Sequence, residues 1–163
     1  MKDETMKGDS MKGDSMKVIL GTMTFSDQVD EPGTREMLRV FSEDGNREVD
    51  TAYQYQDGET EKLLGNILAV QASADFALAT KVNPWDGDGL KPDEVRRQFG
   101  ESLERLQMDS VDLLYLHGPD LDTPVTETLE VCQELFLQGR FKRFGLSNFA
   151  SWQVAEVVEI CRH

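Results

Sequence analysis

The sequence predicts an α/β fold, a parallel sheet covered by helices, and three observations predict it. Short apolar runs recur about every 30 residues from Val18 onward. Each gap between them holds a segment in which apolar residues follow helical spacing. Turn and cap residues separate the two kinds of segment, as strand–helix units of a parallel sheet require. Five such units are present, and the chain ends with the fifth helix. A (β/α)8 TIM barrel needs eight, typically in about 250 residues, so the expected fold is a partial barrel of about five units.

The elements follow in order. Residues 1–17 stand apart: Met-Lys-Asp-Glu-Thr, then Met-Lys-Gly-Asp-Ser twice, then Met16 and Lys17. A five-residue period suits neither helix nor strand, and methionine is the segment's only apolar residue, so 1–17 reads as a disordered leader and 18–163 as the folded domain. The first strand begins near Val18, and the segment from about Pro32 to Ser42 is helical. A second strand begins near Glu48, followed by a helix from Glu59 to Val70 with Leu64, Ile67 and Leu68 on one face. The third strand begins near Phe76, and Pro92 to Leu106 is a helix with Val95, Phe99, Leu103 and Leu106 facing inward. The fourth begins near Val111, with a helix from Pro124 to Gln138 that turns Val125, Leu129, Cys132 and Phe136 to the core. The fifth begins near Arg143, and Ser151 to Arg162 is a helix with Val154, Val158 and Cys161 on its apolar side. Thr123-Pro124 and Ser151 suit helix starts, and Gly139 suits a helix stop.

Composition excludes several classes of function. Hydrophobic residues make up 39% of the 163, enough to bury a core. The net charge of −14 lies wholly in the domain, because the leader's four lysines balance its four acids. Such a surface disfavours nucleic acid and anionic membranes as partners, since both require basic patches. No apolar run approaches the roughly 20 residues that span a bilayer, and the N-terminus has no signal-peptide core. Two cysteines at apolar helix positions, without an export signal, read as reduced, buried thiols of a cytoplasmic protein and point to neither a metal nor catalysis.

Functional groups of a parallel α/β fold gather where the strands run into their following loops. The second strand ends in Asp50, with Tyr55 in its loop; the third ends in Lys81, the fourth in His117 and the fifth in Ser147-Asn148. Each alone reads as a cap or a solvated side chain. Together they form an acid–base constellation. A free tyrosine, with a pKa of about 10, is a poor acid at neutral pH, and a nearby ammonium improves it by stabilising the phenolate. Asp50 would pair with Lys81, and His117 would orient a carbonyl by donating a hydrogen bond. Such a group suits carbonyl reduction, in which an oxygen becomes an alkoxide. None of these side chains donates hydride, so a nicotinamide is required.

The stretch from Asp50 through Tyr55 to Glu61, then Ala79-Thr80-Lys81, Tyr115-Leu116-His117 and Gly145-Leu146-Ser147-Asn148, resembles the ordered motifs of the aldo-keto reductase family. Asn83 to Gly87 and Ser147 to Trp152 resemble its aflatoxin-aldehyde and succinic-semialdehyde reductase branch. The resemblance runs from about Val18 to the last residue. It implies an NADP-linked oxidoreductase that reduces aldehydes or ketones with NADPH: Tyr55 as general acid, Lys81 and Asp50 tuning it, and His117 orienting substrate. Ser147 and Asn148 would hold the carboxamide, and Trp85 would line the substrate pocket or pack under its loop. The family's further units, which grip the rest of the cofactor, have no counterpart here. A second reading follows from that: a catalytically incompetent, truncated barrel serving as a binding or regulatory module, or a gene fragment. Open sheet edges predict self-association.

Overall fold

Each apolar run becomes a strand and each helically spaced segment a helix in the computed structural model, which describes residues 17–70 and 76–162. The leader, apart from Lys17, lies outside the described residues. The elements in order are β1 (Ile19–Gly21), α1 (Glu31–Glu43), β2 (Glu48–Asp50), a 3-10 turn (Tyr55–Gly58), α2 (Glu59–Val70), β3 (Ala77–Val82), α3 (Pro92–Leu106), β4 (Val111–Leu116), α4 (Val125–Leu137), β5 (Phe141–Leu146) and α5 (Ser151–Ile160). The five strands are parallel and pair in sequence order. That is the strand order of a barrel wall.

Local chemistry explains the helix starts. Asp30 caps α1 by accepting from Gly33 N at 3.0 Å, and Pro92 opens α3 where its missing N–H costs nothing. The start of α4 differs from expectation: Pro124 takes the cap position and Thr123 makes no cap bond. At α5 the cap is Ala150, whose N–H donates to the Gln153 side chain at 2.9 Å, with Ser151 in the first turn. Gly139 follows α4 with φ +73°, the left-handed conformation expected of a helix stop.

One face of the sheet packs on the helices. Leu78, Val82, Leu114 and Leu116 meet Leu64, Ile67, Val95, Phe99, Leu103 and Leu106 there, all essentially inaccessible. Helices α2 and α3 approach closely at Gly65, where a Cβ would run into the Arg105 carbonyl. The other face is concave and encloses about 380 Å³, lined by Gly21, Asp50, Ala79, Lys81, Tyr115 and Ser147 among others.

Further expectations need correction. Phe136, expected inward on α4, is half exposed, and Leu135 is buried beside it. Strand β5 begins at Phe141, two residues early, because Phe141 is buried against Phe99 and pairs with Val111. Helix α5 buries Val157, leaving Val154 and Val158 exposed. Cys161, expected inside, is exposed, whereas Cys132 is buried and its thiol is pushed up to about 12 by burial. Thiolate is the reactive form. A thiol reagent at pH 8 is therefore expected to modify one cysteine of the native chain and two after denaturation; two reacting at equal rates in the native chain would contradict this packing.

Candidate active site

The parallel register places the strand-end residues on one rim of the concave face. Gly21 pairs with Asp50, Asp50 with Ala79, and Lys81 with Tyr115, so Asp50, Lys81 and Tyr115 share the concave side. Lys81, 6% exposed, donates to Asp50 Oδ2 at 2.7 Å, to the Thr51 carbonyl at 2.7 Å and to the Tyr55 hydroxyl at 3.2 Å. Its three protons thus have three acceptors. A buried ammonium holds its charge away from water only with such partners, and Asp50 offsets much of the cost. The Tyr55 ring also lies 4.9 Å from the ammonium, and the Tyr115 ring 5.8 Å.

His117 follows β4, its N–H donating to the Val82 carbonyl at 2.9 Å. Its ring meets Tyr55 edge-on at 5.8 Å and Trp85 at 5.2 Å. Burial and, after it, the Lys81 charge lower its pKa to about 4, with Asp50 opposing. The ring is therefore neutral at pH 7 and carries one N–H. Its buried Nδ1 has no protein partner among the described residues. Trp85 is 56% exposed, with its indole edge set against Gly118, and it screens one side of His117.

Ser147 and Asn148 lie at the end of β5. Asn148 takes φ +61°, a left-handed conformation that asparagine tolerates, and donates to the His117 carbonyl at 2.7 Å and to Ser147 Oγ at 3.2 Å. Among the described residues, Asn148 Oδ1 and the Ser147 hydroxyl proton have no partner and remain for a ligand. That acceptor and donor complement a primary carboxamide, so the nicotinamide end of a cofactor fits these residues.

The site has further parts that the strand-end reading missed. After Tyr55 the chain passes through three left-handed residues, Gln56, Asp57 and Gly58. Two of these are not glycine, a costly conformation that persists only when its surroundings fix it. Beneath this loop lie Arg105 and Glu61. Glu61 is fully buried, accepts from the Thr80 hydroxyl at 2.6 Å, and has its pKa raised by burial. One signal could have found it: an acid one turn before Leu64 on the apolar stripe of α2.

A family model described as the aldo/keto reductase family matches residues 17–162. Aflatoxin B1 aldehyde reductase member 2 of Homo sapiens is 49% identical over 146 residues, covering 88% of this chain and 41% of that protein. Aflatoxin B1 aldehyde reductase member 4 of Homo sapiens is 46% identical over 146 residues, covering 88% of this chain and 44% of that protein. The chain thus spans about two-fifths of the length of these curated relatives. Among solved structures, the holo form of aldo-keto reductase AKR11C1 from Bacillus halodurans superposes with a TM-score of 0.76 at 30% identity, over 88% of this chain and 49% of that one.

Proposed function

The chain belongs to the aldo/keto reductase family, and from that membership we propose that its site serves the NADPH-dependent reduction of aldehydes or ketones to alcohols, with Tyr55 as general acid. The observation that carries the reading is the Lys81 ammonium, fixed between Asp50 and the Tyr55 hydroxyl at 2.7 and 3.2 Å. A fixed ammonium beside a phenol stabilises the negative charge that develops on the phenol oxygen as its proton is passed on. Tyr55 gives that proton to the carbonyl oxygen as the carbon is reduced, and takes one back from solvent once the alcohol leaves. The neutral His117 ring offers an N–H to the same oxygen and fixes its direction. Trp85 screens one side of that ring. Ser147 and Asn148 hold the carboxamide of the nicotinamide, which supplies the hydride when bound. Aldehydes are the favoured substrates, since two human relatives similar in sequence carry aldehyde reductase in their names.

The test is a fluorescence titration of the full chain with NADPH, alongside Asn148→Ala. Saturable binding weakened about tenfold by loss of the Asn148 amide supports the reading. A folded chain that does not saturate at millimolar cofactor rejects it. Because the chain spans about two-fifths of its relatives, a second reading is a module that binds without turnover. Saturation without aldehyde-dependent NADPH oxidation would favour that one.

A further inference from the structure

We propose that Arg105, on α3, is the positioning residue that sets Tyr55 against Lys81 and His117, by clamping the strained loop between β2 and α2. The inference rests on the reductase reading only in what Tyr55 is for; the clamp itself is structural.

Arg105 reaches the loop from behind. Its Nη1 donates to the Tyr53 carbonyl at 3.0 Å and to Glu61 Oε2 at 3.3 Å, and its Nη2 to Glu101 Oε2 at 3.3 Å. The guanidinium carbon lies 4.4 Å from the Tyr53 ring centroid, and the Tyr53 hydroxyl donates to Glu101 at 2.9 Å. Tyr53 is held on its other side by the catalytic strand, because its N–H donates to the Lys81 carbonyl at 3.1 Å. The peptide two residues before Tyr55 is thus fixed between β3 and α3.

The same guanidinium sits under the loop's left-handed turn. A Cβ at Gly58 would meet the Arg105 guanidinium at 2.5 Å, so the turn closes directly onto it. Gln56 and Asp57, at φ +50° and +53°, have no glycine to relax them. Release of the clamp would let these residues return to ordinary backbone angles and carry Tyr55 away. Glu61 completes the arrangement, joining Arg105 to Thr80, the neighbour of Lys81. One buried carboxylate therefore references the tyrosine loop and the lysine strand to each other.

The distinction from a merely structural residue is measurable. The chain has two histidines, so His117 is resolved by proton NMR and assigned with a His117→Gln variant. The groups facing it are Lys81, Asp50, Tyr55 and Trp85; burial and then the Lys81 charge lower its pKa to about 4, with Asp50 opposing, and the Tyr55 ring forms one side of that burial. In Arg105→Met, a chain that remains folded should show the His117 midpoint raised by at least about one unit and the Tyr55–His117 ring NOE reduced about threefold or more. Arg105→Lys, which keeps the charge but not the fork, should show the same changes in smaller measure. A folded Arg105→Met chain with an unmoved midpoint and NOE overturns the proposal. If Arg105→Met fails to fold, Arg105→Lys decides it on the same two readouts; if neither folds, Arg105 is a folding determinant and the proposal is overturned. Where the parent chain reduces an aldehyde, kcat should fall about 10- to 100-fold in Arg105→Met, with KM and NADPH binding within about threefold. If the parent chain does not turn over, the reductase reading fails and the NMR readouts still decide the role of Arg105.

Discussion

Tyr55→Phe is expected to lower aldehyde-dependent NADPH oxidation by about 10²- to 10⁴-fold while leaving the fold and cofactor binding intact, the range set by loss of a positioned general acid. The phenol oxygen is the only atom removed, and its hydrogen bond in the resting site is the 3.2 Å contact with Lys81. Lys81 retains Asp50 and the Thr51 carbonyl as acceptors, so its charge remains compensated. The ring also stays, with its face toward the ammonium and its plane steeply inclined to the His117 ring. The loss should therefore appear in kcat with little change in KM. A variant that keeps more than about a tenth of the parent kcat would remove Tyr55 from the role of acid.

Acid sensitivity provides the second large effect. His117 has its pKa lowered from 6.5 to about 4 in the folded chain, by burial first and the Lys81 charge next. An unfolded chain protonates this ring near pH 6.5 and the folded chain resists, so protons favour unfolding between those values. The contribution of His117 is complete above about pH 6.5 and is lost progressively as pH falls toward 4. Allowing for solvent at the open rim, the loss is on the order of 2 kcal/mol. It is read as the difference between parent and His117→Gln in urea unfolding at pH 7 and pH 4.5, since carboxylates elsewhere affect both equally. Equal acid sensitivity in the two chains would mean that the His117 ring is solvated.

Much of this was legible in the sequence because it follows from short-range rules. The 30-residue alternation fixed the parallel sheet, and the side-chain period of two along a strand put Asp50 and Lys81 on a common face once their strands paired. Helix α2 runs from Glu59 to Val70 as its apolar spacing predicts. Helix α5 was less legible. Val154, Val157 and Val158 offer overlapping stripes, and only tertiary packing selects Val157, in a cleft with Leu116, Val125 and Thr128, and leaves Cys161 exposed. The start of β5 was missed for a related reason, since the run that begins near Arg143 leaves Phe141 outside until it meets Phe99 and pairs with Val111.

By itself, then, the sequence determined the fold class, the order of the units and the identity of the polar residues at the strand ends, all properties of local pattern. Tertiary structure alone decided how those residues meet. The approach of Tyr55 to Lys81 depends on a left-handed loop that Gln56 at its start does not favour, held by Arg105 from a helix 50 residues further along the chain. Glu61, an acid on an apolar stripe, makes sense only beside Thr80 and Arg105. The physical reason is common to both: the cost of strain or of a buried charge is local, whereas the contacts that offset it come from elements far apart in sequence.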